Sequence, residues 1–346
     1  MGQWKSHKVW VKNLLTAIRY NAIMTNLPLV LITHTLPREW LISLDGHCRI
    51  IKGPVDATSM DSELYQHLPD AIGLLTLLTI PIGANEITPA RNLRVVSNMA
   101  AGVDNIDIPA CTQRRIPVGN TPGVLTESTA DLTMALLLSA GRNLQEASQD
   151  AREGRWKTWS PTGWLGSDLN HATLGIIGMG KIGQAVARRA IGFGLKIIYY
   201  DPVDIHDPSL ERFSLEEILT RSDFITLHIP LTTDTRHMIN SQALNLMKPN
   251  AILVNASRGP VIDMLALYQA LVEKRIAGAA LDVTEPEPLP TNHPLFSLPN
   301  CLIVPHIGSA TQTTRRRMAE LACENLLAGL EGRRLPYCVN PEVYDS

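Results

Sequence analysis

The chain between residues 174 and 304 alternates short apolar runs with helical patterns. Helical patterns separate the first five of these runs, whereas a proline-rich loop joins the last two. Strands joined through helices pair in parallel, and the helices cover both faces of the sheet. The alternation therefore predicts a doubly wound parallel α/β sheet. The predicted strands are Leu174–Ile177, Lys196–Tyr200, Phe224–His228, Ala251–Asn255, Gly278–Asp282 and Leu302–Val304. The predicted helices are Ile182–Phe193, Leu215–Arg221, Ser241–Met247 and Met264–Glu273.

A smaller α/β unit is predicted before this sheet, with strands at Pro28–Thr33, Ile72–Leu78 and Leu93–Ser97. The turn signal NTPG at Asn120–Gly123 indicates a crossing between domains. One long helix is predicted over Thr129–Glu153, with an apolar stripe of Leu132, Ala135, Leu136 and Ala140. A last helix, Thr313–Gly329, has no strand after it. We expect it to return to the smaller unit, so that the larger domain is inserted within the smaller one.

Composition excludes several classes of protein. Lys and Arg number 31 against 33 Asp and Glu, and no basic block occurs, so nothing indicates nucleic-acid binding. The five cysteines are widely spaced without a CxxC pair, which argues against a zinc site or a disulfide framework and for a reducing compartment. No apolar run reaches the length of a membrane span. We therefore expect no metal, no membrane association and a cytoplasmic location.

The first 24 residues contain four basic residues and no acidic one. We interpret residues 1–24 as an N-terminal extension, because the regular pattern of apolar runs begins after Met24. A targeting presequence is the alternative.

A glycine-rich turn lies between the first strand and first helix of the larger domain. Gly178 permits a tight turn, Gly180 lets a pyrophosphate approach the backbone, and Gly183 lets the helix pack closely on the strand. Asp201 follows the second strand, where an acid accepts hydrogen bonds from the ribose hydroxyls of NAD and repels a 2′-phosphate. The pattern predicts NAD binding, although Asp201 before Pro202 is also typical of a simple turn.

Three candidate catalytic side chains follow the last three predicted strands of the larger sheet. They lie at the edge where open α/β sheets bind ligands. Arg258 in NASRGP can grip a carboxylate or 2-oxo acid with two parallel bonds. His306 in VPHIGSAT can give and regain a proton near neutral pH. Glu287 in TEPEPLP can fix the tautomer of that imidazole. Each residue alone also fits an ordinary surface role, and His228 is a rival to His306.

Four motifs in this order resemble the D-isomer-specific 2-hydroxyacid dehydrogenases, most closely the glyoxylate/hydroxypyruvate reductase branch. The motifs are GMGKIG, LVNASRGPVID, LDVTEPEPLPTNHPLF and VPHIGSAT, and the resemblance runs from about Pro28 to Pro336. It implies a Rossmann nucleotide domain at 125–310, inserted in a flavodoxin-like substrate domain at 25–124 and 311–346. The implied reaction is NADH-dependent reduction of a small 2-oxo acid, glyoxylate or hydroxypyruvate, to the D-2-hydroxy acid by a homodimer.

The resemblance also implies roles for individual residues. Arg258, Glu287 and His306 match the family's catalytic residues. The loop Met99–Asp104 matches the one that binds the substrate carboxylate through backbone N–H groups. Further substrate contacts are implied at Leu78, Ala101, Gly102 and Trp159. Cofactor contacts are implied at Thr129, Gly178, Met179, Gly180, Lys181, Ile182, Gly183, Asp201, Pro230 and Asp282. For Leu78, core packing is equally expected, and for Trp159, packing in a dimer.

Differences between this sequence and related enzymes argue against some members of the family. No basic residue stands next to Asp201-Pro202, as it does in NADP-dependent members of the branch. Formate dehydrogenases carry Gln in place of Glu287, and phosphite dehydrogenases carry Lys in place of Ala101. Another D-2-hydroxyacid or phosphite dehydrogenase, or an NADH-sensing corepressor of the same superfamily, remains the alternative. The preferred 2-oxo acid is left open.

Overall fold

The computed structural model describes residues 27–208 and 210–345. The expected extension at residues 1–24 lies outside these. The chain divides into two compact units. One consists of the chain up to Val124 and again from Gln312, and the other is Leu125–Thr311. Both are parallel α/β sheets, which confirms the predicted fold class.

The first unit contains a five-stranded sheet of β1 (Leu29–Ile32), β2 (Arg49–Lys52), β3 (Gly73–Thr76), β4 (Val95–Asn98) and β5 (Val118–Gly119). The strands are parallel in the order β2-β1-β3-β4-β5, which is the flavodoxin-like order. Its helices are α1 (Ser62–His67), α2 (Ala84–Ile87), α3 (Ile108–Gln113) and, from the C-terminal part of the chain, α10 (Gln312–Leu330). Strands β2 and β5 were not predicted, because RIIK is flanked by charges and VG is only two residues long.

Helix α10 packs against the sheet of the first unit, as expected. Ser97 in β4 donates a hydrogen bond from Oγ to the carbonyl of Ala322, over 2.8 Å. A Cβ added to Gly329 would lie 2.4 Å from Cβ of Val95, so only glycine allows this close approach. Glycine in the helix thus permits the last helix to complete the core of the unit in which the chain began.

The second unit contains a seven-stranded sheet in the order β12-β11-β10-β9-β6-β7-β8. Its strands are β6 (Thr173–Ile177), β7 (Lys196–Tyr200), β8 (Glu211–Arg212), β9 (Phe224–Leu227), β10 (Ile252–Asn255), β11 (Gly278–Leu281) and β12 (Cys301–Ile303). The six predicted strands are present, and the chain reverses its direction of winding between β6 and β9. This is the Rossmann arrangement, in which ligands bind at the carboxyl ends of the strands near the reversal.

Helices cover both faces of this sheet. The helices are α4 (Thr126–Gly141), α5 (Leu144–Arg152), α6 (Lys181–Gly192), α7 (Leu215–Arg221), α8 (Ser241–Leu246) and α9 (Met264–Val272). Buried residues of α4 and α6, such as Leu137 and Val186, pack with Ile252 and Val254 of β10. The intervening Leu253 points to the other face, with α7, α8 and α9. The alternation along one strand therefore supplies both halves of the core.

The single helix predicted over Thr129–Glu153 is wrong. The structure has two helices, α4 and α5, broken at Arg142 and Asn143, where Asn143 adopts a left-handed φ of 50°. Asn tolerates this conformation better than most residues, and apolar periodicity does not reveal it. Ala135, assigned to the apolar stripe, is exposed, and Thr133 and Met134 are buried instead.

Candidate active site

The glycine turn between β6 and α6 gives each of its glycines a separate structural reason. Gly178 has a φ of 97°, and a Cβ there would lie 2.5 Å from the carbonyl oxygen of His228. A Cβ on Gly183 would lie 2.1 Å from the carbonyl oxygen of Gly178. A Cβ on Gly180, in contrast, would meet nothing within 4 Å. Backbone is therefore packed tightly behind the turn and open at Gly180, on the side where a phosphate must approach.

Helix α6 begins immediately after this opening. Gly180 is its N-cap and no described side chain caps its first turn, so within that part of the chain the N–H groups of Lys181 and Ile182 remain available. Unpaired N–H groups and the positive end of a twelve-residue helix are what a pyrophosphate needs. The residues present therefore fit a dinucleotide.

Asp201 lies at the end of β7, and its carboxylate is bonded to the glycine turn. One oxygen, Oδ2, accepts the N–H of Met179 at 2.8 Å, and Oδ1 accepts the N–H of Val203 at 2.9 Å. The Asp201 carboxylate thus fixes the backbone of the glycine turn, beside which the ribose of a dinucleotide would lie.

Arg212 is a basic residue beside Asp201 that the sequence analysis missed. Its Nε donates to the carbonyl of Asp201 at 2.9 Å, and Nη2 donates to the carbonyl of Pro202 at 2.8 Å. The expectation that no basic residue lies next to Asp201 and Pro202 is therefore wrong, because folding brings Arg212 beside them. Arg212 comes from β8, a two-residue edge strand paired with β7, and lies too far along the chain for a local motif to include it.

Thr129, Asp282 and Gly308 are neighbours in the second unit. A Cβ on Gly308 would lie 3.0 Å from Oδ2 of Asp282 and 3.3 Å from Oγ1 of Thr129. Asp282 is 2% exposed and accepts the N–H groups of Ile307 and Gly308, at 2.6 and 2.9 Å. Burial raises the pKa of this carboxyl, although both N–H bonds favour its charged form. Asp282 thus holds the turn directly after His306, a role that its motif did not indicate.

Pro230, the other expected adenine-side residue, is exposed just after β9. Its carbonyl accepts a hydrogen bond from Oγ1 of Thr235 at 2.7 Å.

Glu287 and His306 lie in hydrogen-bond contact. Nδ1 of His306 is 2.5 Å from Oε1 of Glu287, and both side chains are partly exposed. His306 has a left-handed φ of 50°, and its backbone N–H donates to the carbonyl of Asp282 at 2.9 Å. Nε2 of His306 has no hydrogen-bond partner among the described residues. The ring is therefore fixed at one nitrogen and available at the other.

The second carboxylate of the same loop, Glu285, has different partners. Arg236 donates to its Oε1 at 2.8 Å, and Nε2 of His237 lies 3.0 Å from its Oε2. Burial opposes ionisation, but these two partners outweigh it and lower the pKa of Glu285. Glu285 thus anchors the loop, which separates its role from that of Glu287.

Arg258 follows β10 and is half-buried. Asn255, fully buried at the end of β10, donates from Nδ2 to the carbonyl of Arg258 at 2.9 Å and accepts the N–H of Ser257 at Oδ1. A Cβ on Gly259 would lie 1.9 Å from the carbonyl oxygen of Thr284. The Arg258 segment therefore packs directly against the segment that leads to Glu287.

His228, the rival proton donor, lies in a different environment. Its Nε2 is 3.0 Å from Oγ1 of Thr226, and its Nδ1 is enclosed without a hydrogen-bond partner among the described residues. Burial lowers the pKa of His228 to about 3. An imidazole that stays neutral near pH 7 is a poor proton donor, so the structure favours His306.

The remaining expected substrate residues are distributed over both units. Leu78, Ala101 and Gly102 belong to the first unit, and all three are partly exposed. Trp159 belongs to the second unit and is 80% exposed. Among the described residues, no three His, Cys, Asp or Glu side chains form a group suited to a metal ion. No helix in that part of the chain is long and apolar enough to cross a membrane.

Comparisons with known proteins identify the family. Residues 134–308 match the model of the D-isomer specific 2-hydroxyacid dehydrogenase, NAD binding domain. The glyoxylate reductase of Korarchaeum cryptofilum is 47% identical over 321 residues, 91% of this chain and 97% of that protein. Human glyoxylate reductase/hydroxypyruvate reductase is 41% identical over 315 residues, 89% of this chain and 96% of that protein. The crystal structure of the TT0316 protein from Thermus thermophilus superposes with a TM-score of 0.86 at 46% identity, covering 90% of this chain and 99% of that one.

These matches cover both units, and the family model falls within the unit that carries the glycine turn, Glu287 and His306. The chain therefore belongs to the D-isomer-specific 2-hydroxyacid dehydrogenases and is an NAD(P)-dependent oxidoreductase.

Proposed function

We propose that this enzyme uses NADH to reduce glyoxylate to glycolate and hydroxypyruvate to the D-2-hydroxy acid, D-glycerate. The observation that carries the proposal is the contact between Nδ1 of His306 and Oε1 of Glu287 within the NAD-binding unit. The relatives named glyoxylate reductase or glyoxylate reductase/hydroxypyruvate reductase, at 41–47% identity, support the choice of substrate.

The proton comes from His306. Bound NADH supplies the hydride, which adds to the carbonyl carbon of the 2-oxo acid. Nε2 of His306 donates its proton to the carbonyl oxygen as negative charge develops there, so that C=O becomes CH–OH. Glu287 holds the other nitrogen, which fixes the orientation of the ring. In the reverse direction the neutral imidazole takes that proton back.

Substrate orientation is assigned to Arg258 and to the loop Met99–Asp104. A guanidinium presents two parallel N–H groups to a carboxylate or a 2-oxo acid and stabilises charge on the carbonyl oxygen. The loop contributes backbone N–H groups for the carboxylate, through Ala101 and Gly102. Leu78 is assigned to the apolar side of the substrate site.

Asp201 is proposed to select NADH. Its carboxylate accepts hydrogen bonds from ribose hydroxyls and repels a 2′-phosphate, which favours NADH by roughly a hundredfold. Arg212 weakens this discrimination because it places a positive charge on the same turn. Thr129 and Asp282 are assigned to the nicotinamide side, and Pro230 to the adenine side.

A homodimer is proposed to bury the exposed tryptophan loop. Trp156 and Trp159 are 64% and 80% exposed, and large apolar side chains in such numbers are typical of a protein interface. All five cysteines are free, which is typical of a protein in the reducing cytoplasm. We propose that location for the enzyme.

A substrate panel tests the proposal. Initial rates with NADH give kcat/KM for glyoxylate, hydroxypyruvate, pyruvate and phenylpyruvate, and a chiral separation identifies the glycerate formed. We expect glyoxylate and hydroxypyruvate ahead of pyruvate, phenylpyruvate last, and D-glycerate as the product. Phenylpyruvate in first place would overturn the substrate assignment. Tight NADH binding without turnover of any 2-oxo acid would instead indicate an NADH-sensing binding protein.

A further inference from the structure

We propose that Asn98 and Asn120 are positioning residues for the loop Met99–Asp104, here called the carboxylate loop. They orient this loop by donating hydrogen bonds to its carbonyl oxygens. The inference rests on the proposed function, because that function assigns the substrate carboxylate to this loop. It adds two side chains that have no direct part in binding and that lie outside the four family motifs.

The four central carbonyls of the loop, Ala100 to Val103, each accept a hydrogen bond from a donor of the first unit. Asn120 donates from Nδ2 to the carbonyl of Ala101 at 2.7 Å, and Asn98 donates from Nδ2 to the carbonyl of Gly102 at 3.0 Å. The two flanking carbonyls, of Ala100 and Val103, accept the N–H groups of Thr121 and Ile106 at 2.8 and 2.9 Å. Four consecutive carbonyl oxygens are thus turned towards the protein.

The loop N–H groups show the opposite behaviour. The N–H groups of Ala101, Gly102 and Val103 donate no hydrogen bond among the described residues. In a trans peptide the C=O and the following N–H point in opposite directions. Binding the carbonyl of Ala101 therefore directs the N–H of Gly102 outward, and binding the carbonyl of Gly102 does the same for Val103. Successive outward N–H groups form a concave site for an anion.

Asn98 is held in one orientation by its surroundings. It is fully buried at the end of β4, and its Nδ2 also donates to Oδ1 of Asn105 at 3.0 Å. Asn105 is fixed in turn, since its amide donates to the carbonyls of Leu77 and Ile80. A reversed Asn98 amide would set its oxygen against two acceptor oxygens. In the observed orientation Oδ1 of Asn98 is buried without a partner among the described residues, an unusual cost that functional sites often carry.

Asn120 is held by the C-terminal part of the chain. Its N–H donates to the carbonyl of Tyr337 at 3.1 Å, and its carbonyl accepts Nδ2 of Asn325 in α10 at 2.9 Å. A Cβ on Gly119 would lie 2.6 Å from the side chain of Asn325. The anchor of the loop is therefore itself rigid, so the N–H groups need little reorganisation when a carboxylate binds.

The test compares a charged and a neutral substrate in Asn120→Ala and Asn98→Ala. For each, we expect KM for glyoxylate and Ki for the carboxylate inhibitor oxamate to rise about tenfold. The value of kcat should change by less than about threefold, and kcat/KM for uncharged methyl glyoxylate by less than about twofold. The Kd of NADH should be unchanged, because its glycine turn belongs to the other unit.

Two variants complete the design. Asn92→Ala is the matched control, because the Asn92 amide also donates to a backbone carbonyl of the first unit, that of Pro69, at an exposed site. It should leave every constant unchanged. Asn120→Asp keeps the size of the side chain but replaces the donor with a repelling carboxylate. We expect it to raise KM for glyoxylate more than Asn120→Ala does, even if Asn98→Ala does not fold.

The outcomes separate this inference from the proposed function. Unchanged KM and Ki in Asn120→Ala and Asn120→Asp would overturn it, as would equal losses for glyoxylate and its methyl ester, which a merely structural role predicts. A wild-type enzyme that reduces neither glyoxylate nor hydroxypyruvate would instead refute the proposed function.

Discussion

Nδ1 of His306 lies 2.5 Å from Oε1 of Glu287, while the backbone N–H of His306 is bonded to the carbonyl of Asp282. The Asp282 carboxylate also binds the next two N–H groups along the chain. Side chain and backbone of His306 are thus fixed from two directions, and only Nε2 is left to act.

Glu287→Gln should slow the reduction. The amide oxygen can still accept the Nδ1 proton, but the negative charge beside His306 is lost and the ring is held less firmly. We expect kcat for glyoxylate to fall on the order of tenfold, with the Kd of NADH unchanged. The measurement is kcat at one pH for both proteins. A wild-type kcat in Glu287→Gln would contradict a role for the Glu287 charge.

Glu285→Gln is the comparison for that experiment. Glu285 is bonded to Arg236 and His237 and not to His306, so its loss should lower stability and leave kcat for glyoxylate unchanged.

His228→Asn should keep the reaction and alter acid stability. The pKa of His228 is lowered from 6.5 to about 3 in the folded protein, so the unfolded chain binds more protons between these values. Stability therefore falls as the pH drops below 6.5, and the term amounts to about 2 kcal/mol at pH 5. Above pH 6.5 it vanishes. Asn removes the titrating group.

Urea unfolding at pH 5 and pH 7.5 measures this effect. The loss of unfolding free energy between the two values should be smaller in His228→Asn than in the wild type by on the order of 2 kcal/mol. Activity at pH 7.5 should remain within about threefold. An activity loss matching that of a missing proton donor would reassign the acid to His228.

Asp201→Ser should narrow the preference for NADH without a second substitution, because Arg212 is already in place. We expect the ratio of kcat/KM for NADH over NADPH to fall from roughly a hundred to below ten. In Asp201→Ser with Arg212→Gln the gain with NADPH should be largely absent. Equal efficiency with both cofactors in the wild type would contradict the role of Asp201.

Arg258→Lys should impair binding and chemistry together. Lysine keeps the charge but loses the planar pair of N–H groups, so KM for glyoxylate should rise at least about tenfold and kcat should also fall. Arg221→Lys is the control, because Arg221 pairs with Glu217 at an exposed site on α7 and lies over the ring of Phe213. An Arg258→Lys enzyme with wild-type KM would remove Arg258 from the substrate site.

Much of the fold is predictable from local patterns. Strands such as Phe224–Leu227 and Ile252–Asn255 are apolar runs of ordinary length between turn residues, so periodicity reveals them. Strand β8 is not predicted from the sequence, because Glu211 and Arg212 are both exposed and pair with a neighbouring strand on one side only. The break between helices at Asn143 is not predicted either, because the left-handed φ of one residue leaves the apolar pattern around it intact.

The candidate site likewise has parts that the sequence predicts and parts that it does not. Arg258, Glu287 and His306, the proposed catalytic residues, can be predicted because each follows a strand within a short motif. The hydrogen bonds that hold the surrounding segments in place cannot be predicted in this way. Asp282 acts through hydrogen bonds to N–H groups 25 and 26 positions away, and Arg212 reaches the carbonyl of Asp201 across 11 positions. Such pairings depend on three-dimensional register, which no local sequence signal records.

The measurement that tests the central claim most directly is single-turnover oxidation of bound NADH by glyoxylate in His306→Gln. Gln can hydrogen-bond but cannot pass a proton, so the rate should fall by roughly 10²–10⁴ while the Kd of NADH stays at the wild-type value. His171→Gln, at an exposed histidine of the same unit, should react at the wild-type rate. Oxidation of NADH at the wild-type rate in His306→Gln would show that another group supplies the proton and would contradict the account.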